Sequence, residues 1–245
     1  MKKNNIIRTG FAAALFSFAA AINAPADVKT VTATDDNFMY SATAPTCFSD
    51  KNWGNNRNML VGINNPAQDK YRSLLRFDLS SLDDATEVSS ATLTLTVSVV
   101  AKIKPANGNF TVNLFLLNNA NKGWREGDGD GAIKPGASCW DYLDHKSTVW
   151  TGAAGAGNST ASAGISALVG SVTINTGSEI AIGKKVSFTI NSPEGLAAIK
   201  AWIKGGDNAG FLLATDELSA GQNTIGFYAS EATDSSGRPK LEIKN

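Results

Sequence analysis

Residues 71–79 and 90–99 alternate apolar and polar side chains with a period of two. Leu75, Phe77 and Leu79 fall on one face of the first run, Arg76 and Asp78 on the other. In the second, Leu93, Leu95, Val97 and Val99 oppose Thr92, Thr94, Thr96 and Ser98. A strand with one buried face has this pattern. It predicts long antiparallel strands of a sandwich or barrel. Phe110, Val112, Leu114 and Leu116 line one face of a further strand. Shorter apolar runs predict strands at 28–33, 38–40, 59–63, 172–174, 186–190, 211–214, 224–228 and 240–243. Asp35, Asp36 and Asn37 read as turn chemistry between the first two. One short helix is expected: Ser192 is its N-cap, Pro193 opens its first turn, and Glu194 follows. Leu196, Ile199, Trp202 and Ile203 form its apolar face, and Gly205-Gly206 stop it. The expected fold is all-β, a single antiparallel β-sandwich, jelly-roll-like, with this helix in its C-terminal part.

Alternation stops between residues 118 and 151, where Trp124, Trp140, Tyr142 and Trp150 stand among Gly, Asp and Asn. Long irregular stretches inside compact domains are functional or disordered, and the aromatic content argues for function. Residues 152–164, rich in Gly, Ala and Ser, read as a mobile surface loop.

The N-terminus changes the picture. Lys2, Lys3 and Arg8 precede an apolar stretch from Gly10 to Ala21, and Ala24-Pro25-Ala26 supplies small residues. This reads as a secretory signal peptide over residues 1–26, leaving a domain over 27–245 and a secreted or extracellular protein. The apolar stretch is too short for a comfortable membrane span. The full chain has 22 basic and 22 acidic residues; without its three basic residues the leader-free chain has 19 against 22, a net charge of −3. Such a balance gives no global attraction to nucleic acid or to an anionic membrane. The two cysteines, Cys47 and Cys139, either pair across a long loop or remain separate buried thiols.

Candidate chemistry is sparse. The chain has one histidine, His145, which reads as a solvated loop residue. No nucleophile elbow, metal-spaced histidine pair or phosphate loop occurs. The expectation is therefore a non-catalytic protein. Glu126 with Asp128 is the only acidic cluster beside aromatics, and it reads as loop-fixing rather than as a glycosidase pair. The run from Gly127 to Gly131 resembles the opening of a calcium loop, with Asp128 and Asp130 as ligands. An EF-hand would need Glu at position 139, where Cys139 stands, and Asp-Gly repeats also form ordinary turns. Calcium is the one cofactor these residues suggest. Trp53 among Asn52, Asn55, Asn56 and Arg57, and Trp140 with Tyr142 beside Asp141 and Asp144, mix flat apolar surface with planar polar groups. That mixture suits sugar rings. Trp53, Trp140, Tyr142 and Trp150 are the candidate ligand-binding residues, the alternative being that these rings seal the ends of the sandwich. Lys102, Lys104, Lys184 and Lys185 form small basic spots of the kind edge strands carry.

Several segments, in order, resemble the DNRLRE family, related to carbohydrate-binding module family 96. They are Arg72-Ser73-Leu74-Leu75-Arg76-Phe77-Asp78-Leu79, Ser90-Ala91-Thr92-Leu93, Trp124-Arg125-Glu126-Gly127, Gly136-Ala137-Ser138-Cys139-Trp140, Trp150 with Gly152, Trp202 before Asn208-Ala209-Gly210-Phe211, Ser230-Glu231, and Arg238-Pro239-Lys240-Leu241. The resemblance implies a secreted bacterial β-sandwich module, some of whose relatives bind carbohydrate beside polysaccharide-degrading domains. It also implies structural roles for Arg72, Arg76, Asp78 and Glu126. Arg76 and Asp78 are expected on a strand, at least partly buried, each with a partner, and Glu126 is the expected partner of Arg72 or Arg76. The leading expectation is a polysaccharide-binding module. A structural or adhesive extracellular protein and a small polysaccharide lyase or hydrolase are the alternatives. The sequence leaves the glycan and any protein partner open.

Overall fold

The computed structural model describes residues 27–42, 48–64, 69–101, 109–157, 163–175, 180–215, 217 and 223–245. The expected leader, Cys47, Lys102 and Lys104 lie outside the described residues.

Among the described residues thirteen strands follow in chain order: β1 Val28–Thr32, β2 Asp35–Tyr40, β3 Asn58–Asn64, β4 Asp69–Arg76, β5 Ser90–Ala101, β6 Asn109–Leu117, β7 Tyr142–Asp144, β8 Thr148–Val149, β9 Ile165–Asn175, β10 Lys185–Ile190, β11 Phe211–Thr215, β12 Asn223–Tyr228 and β13 Lys240–Lys244. The α-helix α1 spans Pro193–Ile203, and the Ser192 side chain accepts the Gly195 N–H as its N-cap. Eleven strands join one curled antiparallel sheet in the order β1-β13-β5-β12-β3-β4-β11-β6-β9, with β10 added to β5 and β2 to β4. The remaining two, β7 and β8, make a small hairpin.

The curl depends on β5. Its residues 90–96 pair with β13 and β10, and its residues 97–101 pair with β12. One twelve-residue strand thus belongs to both layers of an all-β, sandwich-like fold. The apolar faces read from alternation meet between the layers. Leu93, Leu95, Val97, Phe188, Leu241 and Ile243 pack with Val61, Leu75, Leu114, Phe211, Leu213 and Phe227. Ile199, Trp202 and Ile203 of α1 join the same core, while Leu196 is only half-buried.

The second face of the β2-β4-β11-β6 region is also buried. Met39, Leu74, Leu212 and Phe115 point into another apolar cluster, completed by Trp124, Trp140, Leu143, Trp150 and Ala156. The stretch from 118 to 157 is therefore a layer laid over the sheet. This explains why β11 is apolar from Phe211 to Ala214 and buried at every position: strands covered on both faces do not alternate. It also corrects two expectations. Residues 155–157 are not a free surface loop, because all three are buried, Ala156 fully, and Gly155 packs on Trp140, whereas residues 152–154 are exposed. His145 is not solvated; it is buried, edge-on to Tyr142. Residues 158–162 lie outside the described residues.

The strand boundaries differ at two informative places. Asp35, Asp36 and Asn37 are strand residues of β2, paired with Arg76, Leu75 and Leu74. Asp36 and Asn37 are buried, which turn chemistry did not anticipate. Conversely β4 stops at Arg76, so Asp78 is off the strand and exposed, holding the Ser80 N–H at 2.9 Å.

Candidate polar cleft and carboxylate cluster

At one end of the sheet the segment 52–58 is tied to 126–132 and 137–138. Asn52 is the hub. Its Nδ2 donates to the Glu126 and Ser138 carbonyls, and its Oδ1 accepts the Gly129 N–H at 2.8 Å. Its backbone pairs with Ala132. Asn37 Nδ2 reaches the same Ser138 carbonyl at 2.9 Å, and Asn37 Oδ1 accepts the Trp53 N–H. Gly54 packs so closely on the Glu126 carbonyl that a Cβ there would collide with it. Gly131, with φ of +77°, abuts the Trp53 ring, which would meet a Cβ there at 2.9 Å.

This frame presents a polar cleft of about 470 Å³ lined by Asn55, Asn56, Arg57, Asn58, Asp130 and Glu231. Asn56 Nδ2 donates to Asp130 Oδ1 at 2.7 Å, bridging the two loops. The lining is three amide side chains, Asn56's bridge among them, one guanidinium and two carboxylates; residues 55–58 and Asp130 stand on loops that the Asn52 network ties together, and Glu231 on the turn after β12. Loops held on a rigid sheet are the usual bearers of recognition.

Behind Glu231 lies a second feature. Asp36, Glu126 and Glu231 each place a carboxylate oxygen within 4.8 Å of the others. β2 supplies Asp36, the outer layer supplies Glu126, and the turn after β12 supplies Glu231. The Asp36 N–H donates to Glu126 Oε1 at 2.6 Å, and the Ser230 N–H donates to Asp36 Oδ2 at 2.6 Å. Ser230 Oγ donates to Glu231 Oε1 at 2.8 Å. The other Glu231 oxygen, Oε2, is shielded from solvent and accepts no hydrogen bond. Asp36 is only 2% exposed. Burial, then the Glu231 charge, push its carboxyl well above the usual range against the hydrogen bonds of Ser230. Burial likewise pushes Glu126 up to about 7, with Glu231 and Asp35 adding and the Asp36 N–H opposing. Three carboxyl groups this close cannot all ionise without a counter-charge. Asp36 and Glu126 do not line the cleft; of the three, only Glu231 does.

The residues expected from sequence are distributed differently. Trp140 and Trp150 are buried in the outer-layer cluster. Trp150 Nε1 donates to the Cys139 carbonyl, and Trp140 lies under the Arg72 guanidinium, 4.7 Å from it. They are packing residues, because an apolar sheet face needs cover and these rings are the largest side chains available to it. Tyr142 is half-buried on β7 against His145. Trp53 is half-buried, stacked on Phe38 at 4.9 Å, one residue before the loop that lines the cleft. The four rings do not form one surface.

Arg72 is buried, and its partner is Glu217, not Glu126: Nε to Oε1 is 2.6 Å and Nη2 to Oε2 is 2.9 Å. Arg76 stacks on the Trp124 ring at 4.3 Å and donates to the Lys122 and Trp124 carbonyls. Its nearest carboxylate is Asp35, at 3.9 Å. Asp128 faces solvent and pairs with Lys134, while Asp130 takes Asn56. The alternating aspartates therefore do not converge on each other. Cys139 is a free, buried thiol whose pKa burial raises to about 11. The site residues that sequence reasoning missed are Asp36, read as part of a turn, and the inward role of Glu231. The signal available for Asp36 was its position next to the apolar Phe38-Met39-Tyr40 run.

A scan against protein-family models returns no match, and a search of curated proteins returns none either.

Proposed function

We propose that this is a secreted, non-catalytic module that recognises a polysaccharide through the polar cleft beside Trp53. The observation that carries the reading is the cleft itself: amide groups of Asn55, Asn56 and Asn58, the Arg57 guanidinium and the Asp130 and Glu231 carboxylates converge on about 470 Å³. Planar hydrogen-bonding groups held on fixed backbone match the vicinal hydroxyls of a sugar ring. The DNRLRE-like segments and the leader-like N-terminus point the same way. The two carboxyls with raised pKa, Asp36 and Glu126, stand behind the cleft wall and not in its lining, which favours binding over hydrolysis. Affinity is weak, about micromolar to millimolar, because each contact must offset the ordering of a flexible polymer.

Affinity electrophoresis of the leader-free protein through gels cast with alginate, pectin, xylan or β-glucan tests this. At least one polymer is expected to retard migration. Asn55→Ala and Arg57→Ala, both at exposed positions, are expected to reduce retardation several-fold with unchanged melting temperature. Retardation by no polymer, or retardation indifferent to both substitutions, refutes the assignment.

A further inference from the structure

Sheet edges expose unpaired backbone N–H and C=O groups, and proteins guard them with brevity, lysine, proline or a cover. Among the described residues, four strands of the large sheet have a neighbour on one side only: β1, β2, β9 and β10. Three of them are guarded. β1 is five residues long and carries Lys29, ion-paired to Asp27 at 2.7 Å. β10 opens on Lys185, with Lys184 before it, both exposed. β2 is covered: Glu126 takes the Asp36 N–H, and Asn37 binds the Ser138 carbonyl and the Trp53 N–H. β9 has none of these guards. It runs eleven residues, Ile165–Asn175, without a charge or a proline. The nearest charged residues in sequence are Lys146 and Glu179. Its register shifts lie in its first half; from Gly170 to Asn175 it pairs residue by residue with β6 from Leu114 to Asn109. Val172 points into the inner cluster yet is only half-buried, while its β6 partner Val112 is fully buried. The core is therefore open at this edge. β10, in the opposite layer, approaches β9 at Gly170, whose Cβ would stand 3.3 Å from Phe188 Cβ, but the two strands do not pair.

We propose that residues 170–175 of β9 form a dimer edge, pairing antiparallel with the same segment of a second copy of this chain. A free edge accepts a strand, and charge decides which one. Two copies of β9 meet without like-charge repulsion, whereas two copies of β10 would bring lysines together. The side chains are also self-complementary. With Thr173 on the two-fold axis, Thr173 faces Thr173 of the second copy, Ser171 faces Asn175 and Val172 faces Ile174. Each face then keeps its character, hydroxyl and amide outside, β-branched inside. The same kinds of pair already meet across β6 and β9. The Thr111 and Thr173 hydroxyls stand 2.9 Å apart, and Ser171 Oγ donates to Asn113 Oδ1 at 2.9 Å, with Val112 opposite Val172 inside. A second β9 thus presents to the open side what β6 presents to the paired side. A two-fold contact of this kind occupies both edges and closes at two chains. The edge is separate from the polar cleft, whose lining comes from residues 55–58, 130 and 231, and it stands whether or not the cleft binds glycan.

Sedimentation equilibrium of the leader-free protein tests this. The apparent mass is expected to rise from one chain toward two between about 10 µM and 1 mM, the range of a small interface, and to go no higher. Thr173→Lys sets like charges face to face and is expected to hold the protein at one chain throughout. Thr173→Glu is expected to do the same. An equimolar mixture of the two variants is expected to recover the two-chain mass, which misfolded variants cannot do. Ser187→Lys, at an exposed position on β10, is expected to dimerise like the parent. Amide hydrogen exchange in the parent is expected to slow at residues 170–175 as concentration rises, which decides the edge even if a variant fails to fold. A parent that stays at one chain, a dimer that survives Thr173→Lys, or a dimer that Ser187→Lys also abolishes overturns the assignment. So does a mass beyond two chains, or concentration-dependent protection at β1 or β10 in place of β9.

Discussion

At the scale of single residues, Arg72 matters most. Its guanidinium is 4% exposed and meets the 5% exposed Glu217 side chain through two parallel hydrogen bonds. It also donates to the Gly155 carbonyl at 2.7 Å. Removing Arg72 leaves the buried Glu217 carboxylate with only the partly exposed Lys70 ammonium, 3.1 Å away, so Arg72→Ala is expected to cost about 3 kcal/mol, measured by urea denaturation. Replacing both members, as Arg72→Met with Glu217→Leu, should restore most of that, since a buried pair is often no better than well-packed apolar groups. The same pair sets an acid limit. Burial alone would raise the Glu217 pKa, but Arg72 and then Lys70 outweigh it and hold it below the ordinary value. A depressed folded pKa contributes stability above the unfolded value, and that contribution disappears as pH falls below about 4.3. Melting temperature in that window should therefore fall more steeply for the parent than for Glu217→Gln. The need of Arg72 for a partner was legible in its place on an apolar strand. The partner was not, because Glu217 lies 145 positions away and only the fold brings it near.

At the scale of elements, alternation identified strands well where one face is buried and poorly where both or neither are. β5, with Thr opposite Leu, read correctly along its length, and so did α1 with its Ser192 cap. Ser192→Ala is expected to destabilise by about 1 kcal/mol, the usual worth of an N-cap. The outer layer was illegible as structure because it has almost no repetitive backbone. Its order comes from tryptophans seated on a sheet and from backbone held by Asn37, Asn52, Asn121 and Ser138. Its tryptophans resemble exposed sugar platforms in composition, and nothing local distinguishes a ring facing a sugar from a ring facing a strand. The packing assignment has a direct consequence. Trp150→Ala removes a ring that is 4% exposed and hydrogen-bonded to Cys139, so it is expected to lower stability by about 3–5 kcal/mol. In the cleft, by contrast, Arg57→Ala should leave the melt unchanged. A Trp150→Ala protein melting with the parent would return this ring to the surface.

At the scale of the whole molecule, the question is whether the outer layer and the sandwich unfold together. Among the described residues the two larger apolar clusters share strands. β4 gives Leu75 to the inner cluster and Leu74 to the outer; β11 gives Phe211 and Leu213 to the inner and Leu212 to the outer; β6 divides Leu114 and Phe115 in the same way. Adjacent residues on one strand cannot lose their pairing independently. The inner layers are themselves joined, because β5 pairs in both. The outer layer is further fastened by the Arg72 bond to Gly155 and by the Trp124 Nε1 bond to the Ala209 carbonyl. Unfolding is therefore expected to be one cooperative transition despite the long irregular layer. Three of the five tryptophans, Trp124, Trp140 and Trp150, lie in the outer cluster, so tryptophan fluorescence is weighted toward that layer, whereas far-ultraviolet circular dichroism follows the sheet. The two probes should give the same midpoint in urea, and the slope should match the surface of the full domain. Fluorescence moving at clearly lower urea would mean the layer detaches while the sandwich survives. The shared strands would then bind it more weakly than their common hydrogen-bond ladders require.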